Sequence, residues 1–129
     1  PLYMAPEQAK GAANGTPASD VHSLGAVLYE CIAGVPPFAP GPLAAVLDAI
    51  LRVDAVDPRQ HRRSVPDGLA RIALQCLEKD PRDRYPSAAA LAADLHRFAA
   101  GETVLARGSG FARSFRRWRR RPGPLLAAV

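Results

Sequence analysis

The chain has 129 residues with 48% hydrophobic and 22% charged side chains, enough apolar material for one folded domain, which excludes a wholly disordered polypeptide. Only 6% of the residues are aromatic and alanine is abundant, a composition that suits helix packed on helix. The formal net charge of +5 is uneven: seven arginines lie between Arg107 and Arg121, no acid follows Glu102, and residues 1–106 carry ten basic against twelve acidic side chains, which argues against a uniformly nucleic-acid-binding surface.

The elements follow in chain order. Residues 6–10 read as a short helical turn with Pro6 at a tolerated first position. Lys10 to Ser19 reads as a loop, and Ser19 or Asp20 then caps a helix that runs to about Ala33 and stops at Gly34 and Pro36. Val21, Leu24, Ala26, Val27, Leu28, Tyr29, Cys31 and Ile32 leave this helix almost no polar face, which predicts a buried central helix too short to span a membrane. Pro36-Pro37-Phe38 and Pro40-Gly41-Pro42 form a rigid connector. Leu43, Val46, Leu47, Ile50 and Leu51 follow helical spacing, as do Leu69, Ile72, Ala73, Cys76 and Leu77 after Pro66. Asp80-Pro81 ends that second pattern. Ser87 caps a last helix with Leu91, Leu95 and Phe98 inward, and Gly101 stops it. No segment reads as a strand and no internal repeat is evident. Cys31 and Cys76 each sit in an apolar helical pattern and are expected as buried free thiols, with a disulfide or metal site the remote alternative.

Four motifs in order carry a resemblance. Pro1-Leu2-Tyr3-Met4-Ala5-Pro6-Glu7 resembles the segment that closes the activation region of serine/threonine protein kinases and contains their Ala-Pro-Glu signature. Asp20-Val21-His22-Ser23-Leu24-Gly25 resembles the Asp-x-Trp/Tyr-Ser-x-Gly start of the kinases' central helix, with His22 departing from the usual aromatic. Val35-Pro36-Pro37-Phe38 resembles the connector that follows it, and Cys76 to Tyr85 the cysteine-leucine/aspartate-proline/arginine motif late in the domain. Ser87 to Gly101 is similar to the final helix of bacterial kinases. The resemblance implies an all-α fold, the helical C-terminal lobe of a bacterial-type serine/threonine kinase at residues 1–102. It implies that Pro1, Leu2, Tyr3 and Met4 form a substrate-docking loop that favours an apolar neighbour beside the phosphoacceptor. It also implies that Glu7 and Arg84 form a buried ion pair, and that Asp20 holds the backbone of the catalytic loop. Without it, Glu7 and Arg84 read as ordinary surface charges and Asp20 as a helix cap.

Phosphoryl transfer in this family requires a glycine-rich loop, a strand lysine, a His-Arg-Asp loop and a Mg²⁺-holding Asp-Phe-Gly. None occurs between residues 1 and 129, so no catalytic, cofactor-binding or metal-binding residue is assigned. ATP and Mg²⁺ are expected for the full-length parent and not for these residues alone. Protein substrates are the expected partners of that parent. A non-catalytic helical binding module with a basic arm, a degenerate kinase remnant, is the rival reading.

Residues 103–124 read as a basic linker or juxtamembrane segment and residues 125–129 as the start of a truncated transmembrane helix. Arg107, Arg113, Arg116, Arg117, Arg119, Arg120 and Arg121 suit an anionic membrane surface on the cytoplasmic side, with Phe111, Phe115 and Trp118 suited to an interface. The final apolar run falls far short of the ~20 residues that a span needs. A solvated tail is the plainer alternative, and nucleic-acid binding the least favoured.

Overall fold

A computed structural model describes residues 2–11 and 15–107. The readings placed on Pro1 and on residues 108–129, including the aromatic and arginine positions of the tail after Arg107 and the start of a membrane helix, lie outside the described residues. The described chain is all-helical: α1 (Pro6–Ala9), α2 (Pro17–Ala33), α3 (Leu43–Arg52), α4 (Asp67–Cys76) and α5 (Ala88–Ala99), with single 3-10 turns at Pro58–Gln60 and Pro81–Asp83. Among the described residues there is no strand, and no helix is long and apolar enough to cross a membrane.

Helix α2 begins earlier than its apolar run suggests. Thr16 is the cap, with Pro17 at the first helical position. The Thr16 hydroxyl accepts the Ser19 N–H at 3.1 Å while the Ser19 hydroxyl accepts the Thr16 N–H at 2.7 Å, a reciprocal box that satisfies two otherwise orphaned donors. Ser19 and Asp20 are therefore inside the helix, not at its cap. The far end closes as expected: Gly34 takes the left-handed conformation (φ 81°) and its N–H bonds the Glu30 carbonyl at 2.9 Å, a geometry that glycine adopts without steric cost.

The core divides around α2. On one side Ala26, Tyr29 and Ala33 pack with Phe38, Val46 and Ile50 of the connector and α3, with Ala73 and Leu74 of α4 and with Leu77 just after it. On the other, Val21 packs with Ile72 and Cys76 of α4, Tyr85, Leu91 of α5, and Val104 and Ala106. Val104 and Ala106, beyond the end of α5, are thus part of this core. Tyr29 is fully buried, and its hydroxyl donates to the Val56 carbonyl at 2.5 Å. That bond pins the irregular segment after α3 to α2.

Helix α2 is not apolar and buried all round. Leu24 is 48% and Val27 49% exposed, and Cys31 on the same stripe is exposed as well. No described element packs over this face. The expectation of two buried thiols therefore holds for Cys76 and fails for Cys31. Both are free, and burial pushes the Cys76 thiol up to about 12, so it serves as packing and not as a nucleophile.

A three-residue pattern recurs that is too short to register as a sequence repeat. In Asp57-Pro58-Arg59 and in Asp80-Pro81-Arg82 the aspartate caps a 3-10 turn by accepting the arginine N–H at 2.9 Å, and its carboxylate also takes the arginine guanidinium. Proline supplies the fixed φ and lacks the N–H that would go unused.

Helices α2 and α4 cross in close contact at Gly25 and Cys76. A Cβ placed on Gly25 would lie 2.2 Å from Cβ of Cys76, so the backbones approach as closely as they do only because residue 25 has no side chain. Gly25→Ala is expected to lower stability by about 1–3 kcal/mol through overpacking, despite a helix-propensity gain of up to ~1 kcal/mol. Urea unfolding midpoints measure this. Adding Cys76→Ala should not restore the midpoint, because the atom that is struck is Cβ and not the sulfur.

Candidate functional site

Arg84 organises the region. Its side chain is fully buried, and all five of its N–H donors find acceptors. Nη1 and Nη2 meet the two Glu7 carboxylate oxygens at 2.7 and 2.9 Å, Nη1 also reaches the Ala18 carbonyl, Nη2 the Lys79 carbonyl, and Nε the Glu78 carbonyl at 2.8 Å. Glu7 lies on α1 and Ala18 in the first turn of α2, while Glu78 and Lys79 follow α4. One guanidinium therefore ties together α1, the start of α2 and the turn between α4 and Arg84. Burial works to raise the Glu7 pKa, but the Arg84 hydrogen bonds, the backbone N–H of Glu7 and the Arg84 charge outweigh it and hold the carboxyl below its usual range.

The clamp positions the segment before Glu7. Ala5 is fully buried, and its N–H is accepted by the Gln8 side chain at 3.0 Å. The Ser23 hydroxyl of α2 donates to the Tyr3 carbonyl at 2.8 Å, and the Tyr3 hydroxyl lies 3.1 Å from both carboxylate oxygens of Glu30. Leu2 and Met4 are half-buried against the cluster around Ala26 and Tyr29. Tyr3 faces the other way and lines an apolar groove of about 510 Å³ with Asp20, Ser23, Leu24, Val27 and Ala88. Of the residues singled out in the sequence, Glu7 and Arg84 are thus in direct contact and Tyr3 shares a groove with Asp20. Leu2 and Met4 do not line that groove. Asp20 is exposed, and its carboxylate makes no hydrogen bond among the described residues.

His22 is completely buried, and neither ring nitrogen has a hydrogen-bond partner among the described residues. Burial, then the positive charges of Arg84 and Lys79, push its pKa down to about 3 against a smaller opposing effect of Glu7. The imidazole is neutral and acts as a packing group at a position where an aromatic would serve.

One important residue escapes a motif-based reading. Asp94 in α5 is fully buried and accepts hydrogen bonds from the Tyr85 hydroxyl, the Arg97 guanidinium and the N–H groups of Leu105 and Ala106. Its signal was present: with Leu91, Leu95 and Phe98 it sits on the inward stripe of the helix, and a charge on an apolar stripe demands partners. Burial would raise its pKa, yet these donors hold it below the ordinary range.

The sequence has no phosphate-cradling loop or catalytic aspartate, and among the described residues no three His, Cys, Asp or Glu side chains gather in a way that suits a metal ion.

The pattern of the protein kinase domain family matches residues 1–96. The chain belongs to the protein kinase family. Within that family it is similar to the serine/threonine-protein kinase PknB of Mycobacterium leprae, with 39% identity over 100 residues covering 78% of this chain and 16% of that protein. It is also similar to the DNA damage-responsive serine/threonine-protein kinase RqkA of Deinococcus radiodurans, with 46% identity over 93 residues covering 71% of this chain and 14% of that protein. The tyrosine-protein kinase MasK of Myxococcus xanthus is 41% identical over 97 residues, covering 75% of this chain and 15% of that protein. The chain therefore spans only a small part of the length of the curated relatives it matches. Its architecture is that of the helical lobe of a bacterial-type serine/threonine kinase.

Two outcomes follow for this kinase lobe. Glu7→Gln leaves the buried Arg84 charge without its counter-ion and is expected to cost about 3 kcal/mol, the low end for a broken buried pair. The carbonyls of Ala18, Glu78 and Lys79 remain in place. Chemical denaturation of the variant measures it. His22 has an ordinary pKa of 6.5 when unfolded and about 3 when folded. The unfolded chain therefore binds the proton first, and stability falls as pH drops below 6.5, by up to about 1.4 kcal/mol per pH unit until the folded group titrates. His22→Phe should flatten the pH dependence of the denaturation midpoint between pH 6.5 and about 4.5, above the range where Glu7 and Asp94 protonate.

Proposed function

We propose that this chain is the substrate-docking and scaffolding portion of a serine/threonine kinase whose full-length form transfers the γ-phosphate of ATP to protein hydroxyls. The observation that carries this reading is the Glu7–Arg84 clamp, together with the two hydrogen-bonded attachments of Tyr3 to α2. They hold residues 2–4 in a fixed path without assigning them any chemistry of their own. A docking loop needs such order, because binding a peptide to a pre-formed surface avoids the entropy of ordering the loop at each encounter. Leu2, Tyr3 and Met4 are the residues proposed to favour an apolar neighbour beside the acceptor, and Asp20, exposed at the groove, is proposed to hold the backbone of the catalytic loop. Serine and threonine are the acceptors suggested by the names of the PknB and RqkA relatives.

ATP and Mg²⁺ belong to the full-length protein in this reading, whose catalytic residues are not among residues 1–129. The arginines from Arg107 to Arg121 are proposed to meet an anionic surface at the cytoplasmic face of a membrane. Opposite charge is the argument for that partner.

The full-length polypeptide, incubated with labelled ATP and peptide arrays bearing serine, threonine or tyrosine, is expected to label serine and threonine and to prefer an apolar residue after the acceptor. Labelling of tyrosine alone would overturn the acceptor assignment, a charged preference would overturn the pocket, and no labelling at all would favour a non-catalytic binding module. Residues 1–129 by themselves should show no ATP-dependent phosphorylation.

A further inference from the structure

After α5 the chain turns back at Gly101 (φ 75°), where the Glu102 N–H bonds the Arg97 carbonyl at 2.9 Å. Residues 103–107 then run along the lobe instead of leaving it. Val104 is 7% and Ala106 2% exposed, and both join the cluster of Val21, Ile72, Cys76, Tyr85 and Leu91. The Val104 methyl groups lie over Gly68. The Leu105 N–H donates to one Asp94 carboxylate oxygen at 2.7 Å and the Ala106 N–H to the other at 3.0 Å, while the Arg107 N–H reaches the Gln75 side chain at 3.2 Å. Three successive backbone donors are thus taken up by side chains of α4 and α5, although the segment belongs to no helix.

We propose that Asp94 is a latch that makes residues 103–107 a fixed strap of the lobe and sets the point from which the arginine-rich segment departs. The carboxylate is suited to this because it is fully buried and its remaining acceptor capacity is filled by the Tyr85 hydroxyl at 2.5 Å and by Arg97 at 3.2 Å. It has no solvent to fall back on, so the two strap N–H groups are strongly held. Val104 and Ala106 alternate inward while Leu105 is 68% exposed, an extended alternation that leaves both buried side chains in the core only if the N–H groups of residues 105 and 106 stay on Asp94. Arg107, first of the seven arginines, is thereby anchored beside the last turn of α4. Tyr85 extends the latch across the lobe: it follows Arg84 directly, so one short turn grips Glu7 on one side and Asp94 on the other.

Hydrogen–deuterium exchange of the full chain tests this with peptides covering residues 102–107 and α4. The amides of Leu105 and Ala106 should exchange roughly 100-fold or more slowly than an unstructured chain. Asp94→Asn should speed them roughly 10-fold or more while α4 keeps its protection. Free exchange of residues 105 and 106 in the wild type overturns the proposal, as does an Asp94→Asn variant whose strap is unchanged or whose losses spread evenly over α4. If Asp94→Asn does not fold, Tyr85→Phe decides. Loss of the hydroxyl that fixes the carboxylate should speed the same two amides by roughly 3-fold or more, and an unchanged strap there overturns the latch.

Discussion

The structure depends on one buried cation. Arg84 is withdrawn wholly from water, which would be prohibitive for an isolated charge, and is tolerated because Glu7 neutralises it and three carbonyls occupy its remaining N–H groups. Those acceptors come from widely separated parts of the chain. The guanidinium therefore cannot be satisfied unless α1, the start of α2 and the turn after α4 are all in place. This makes the pair less a source of net stability than a condition on the fold: any arrangement that misplaces one partner strands the charge. The planar fork of arginine is needed here, because a lysine ammonium has only three donors and could not reach both carboxylate oxygens and three carbonyls at once.

Around that cation the lobe is built by close approach. Gly25 lets α2 and α4 touch at Cys76, and the same stretch of α2 buries His22 without a hydrogen bond among the described residues. Burial first, and then proximity to Arg84 and Lys79, keeps the imidazole neutral, so the position tolerates a polar ring only by suppressing its charge. On the opposite side of α2, Leu24, Val27 and Cys31 remain open to solvent, next to the groove shared by Tyr3 and Asp20. The two faces of one helix thus differ in kind: one is committed to the core, the other is apolar and unpartnered among the described residues.

Much of this was legible from local pattern. Helices α3, α4 and α5 follow from apolar spacing, from Pro66 and Ser87 at their starts and from Gly101 after the last, because helical periodicity and capping are properties of neighbouring residues. Local pattern sets the start of α2 a few positions too late, since Thr16 and Ser19 are both good caps and only the reciprocal hydrogen bonds choose between them. The exposure of Cys31 was also hidden. Periodicity reports that a helix is apolar, but not whether an element exists to cover each of its faces. The motifs placed Glu7 and Arg84 together only through family resemblance, since 77 residues separate them and no spacing rule links such distant charges.

By itself the sequence determined the family, the helical class, the order of the helices and the absence from residues 1–129 of the groups that perform phosphoryl transfer. These are matters of residue type and short-range order. Only the tertiary structure decided that Arg84 uses every donor it has, that Gly25 is required by Cys76, and that Asp94 holds the chain through residue 106. Each of those depends on which distant atoms share a volume from which water has been removed, and burial is a property of the assembled lobe and not of any segment of it.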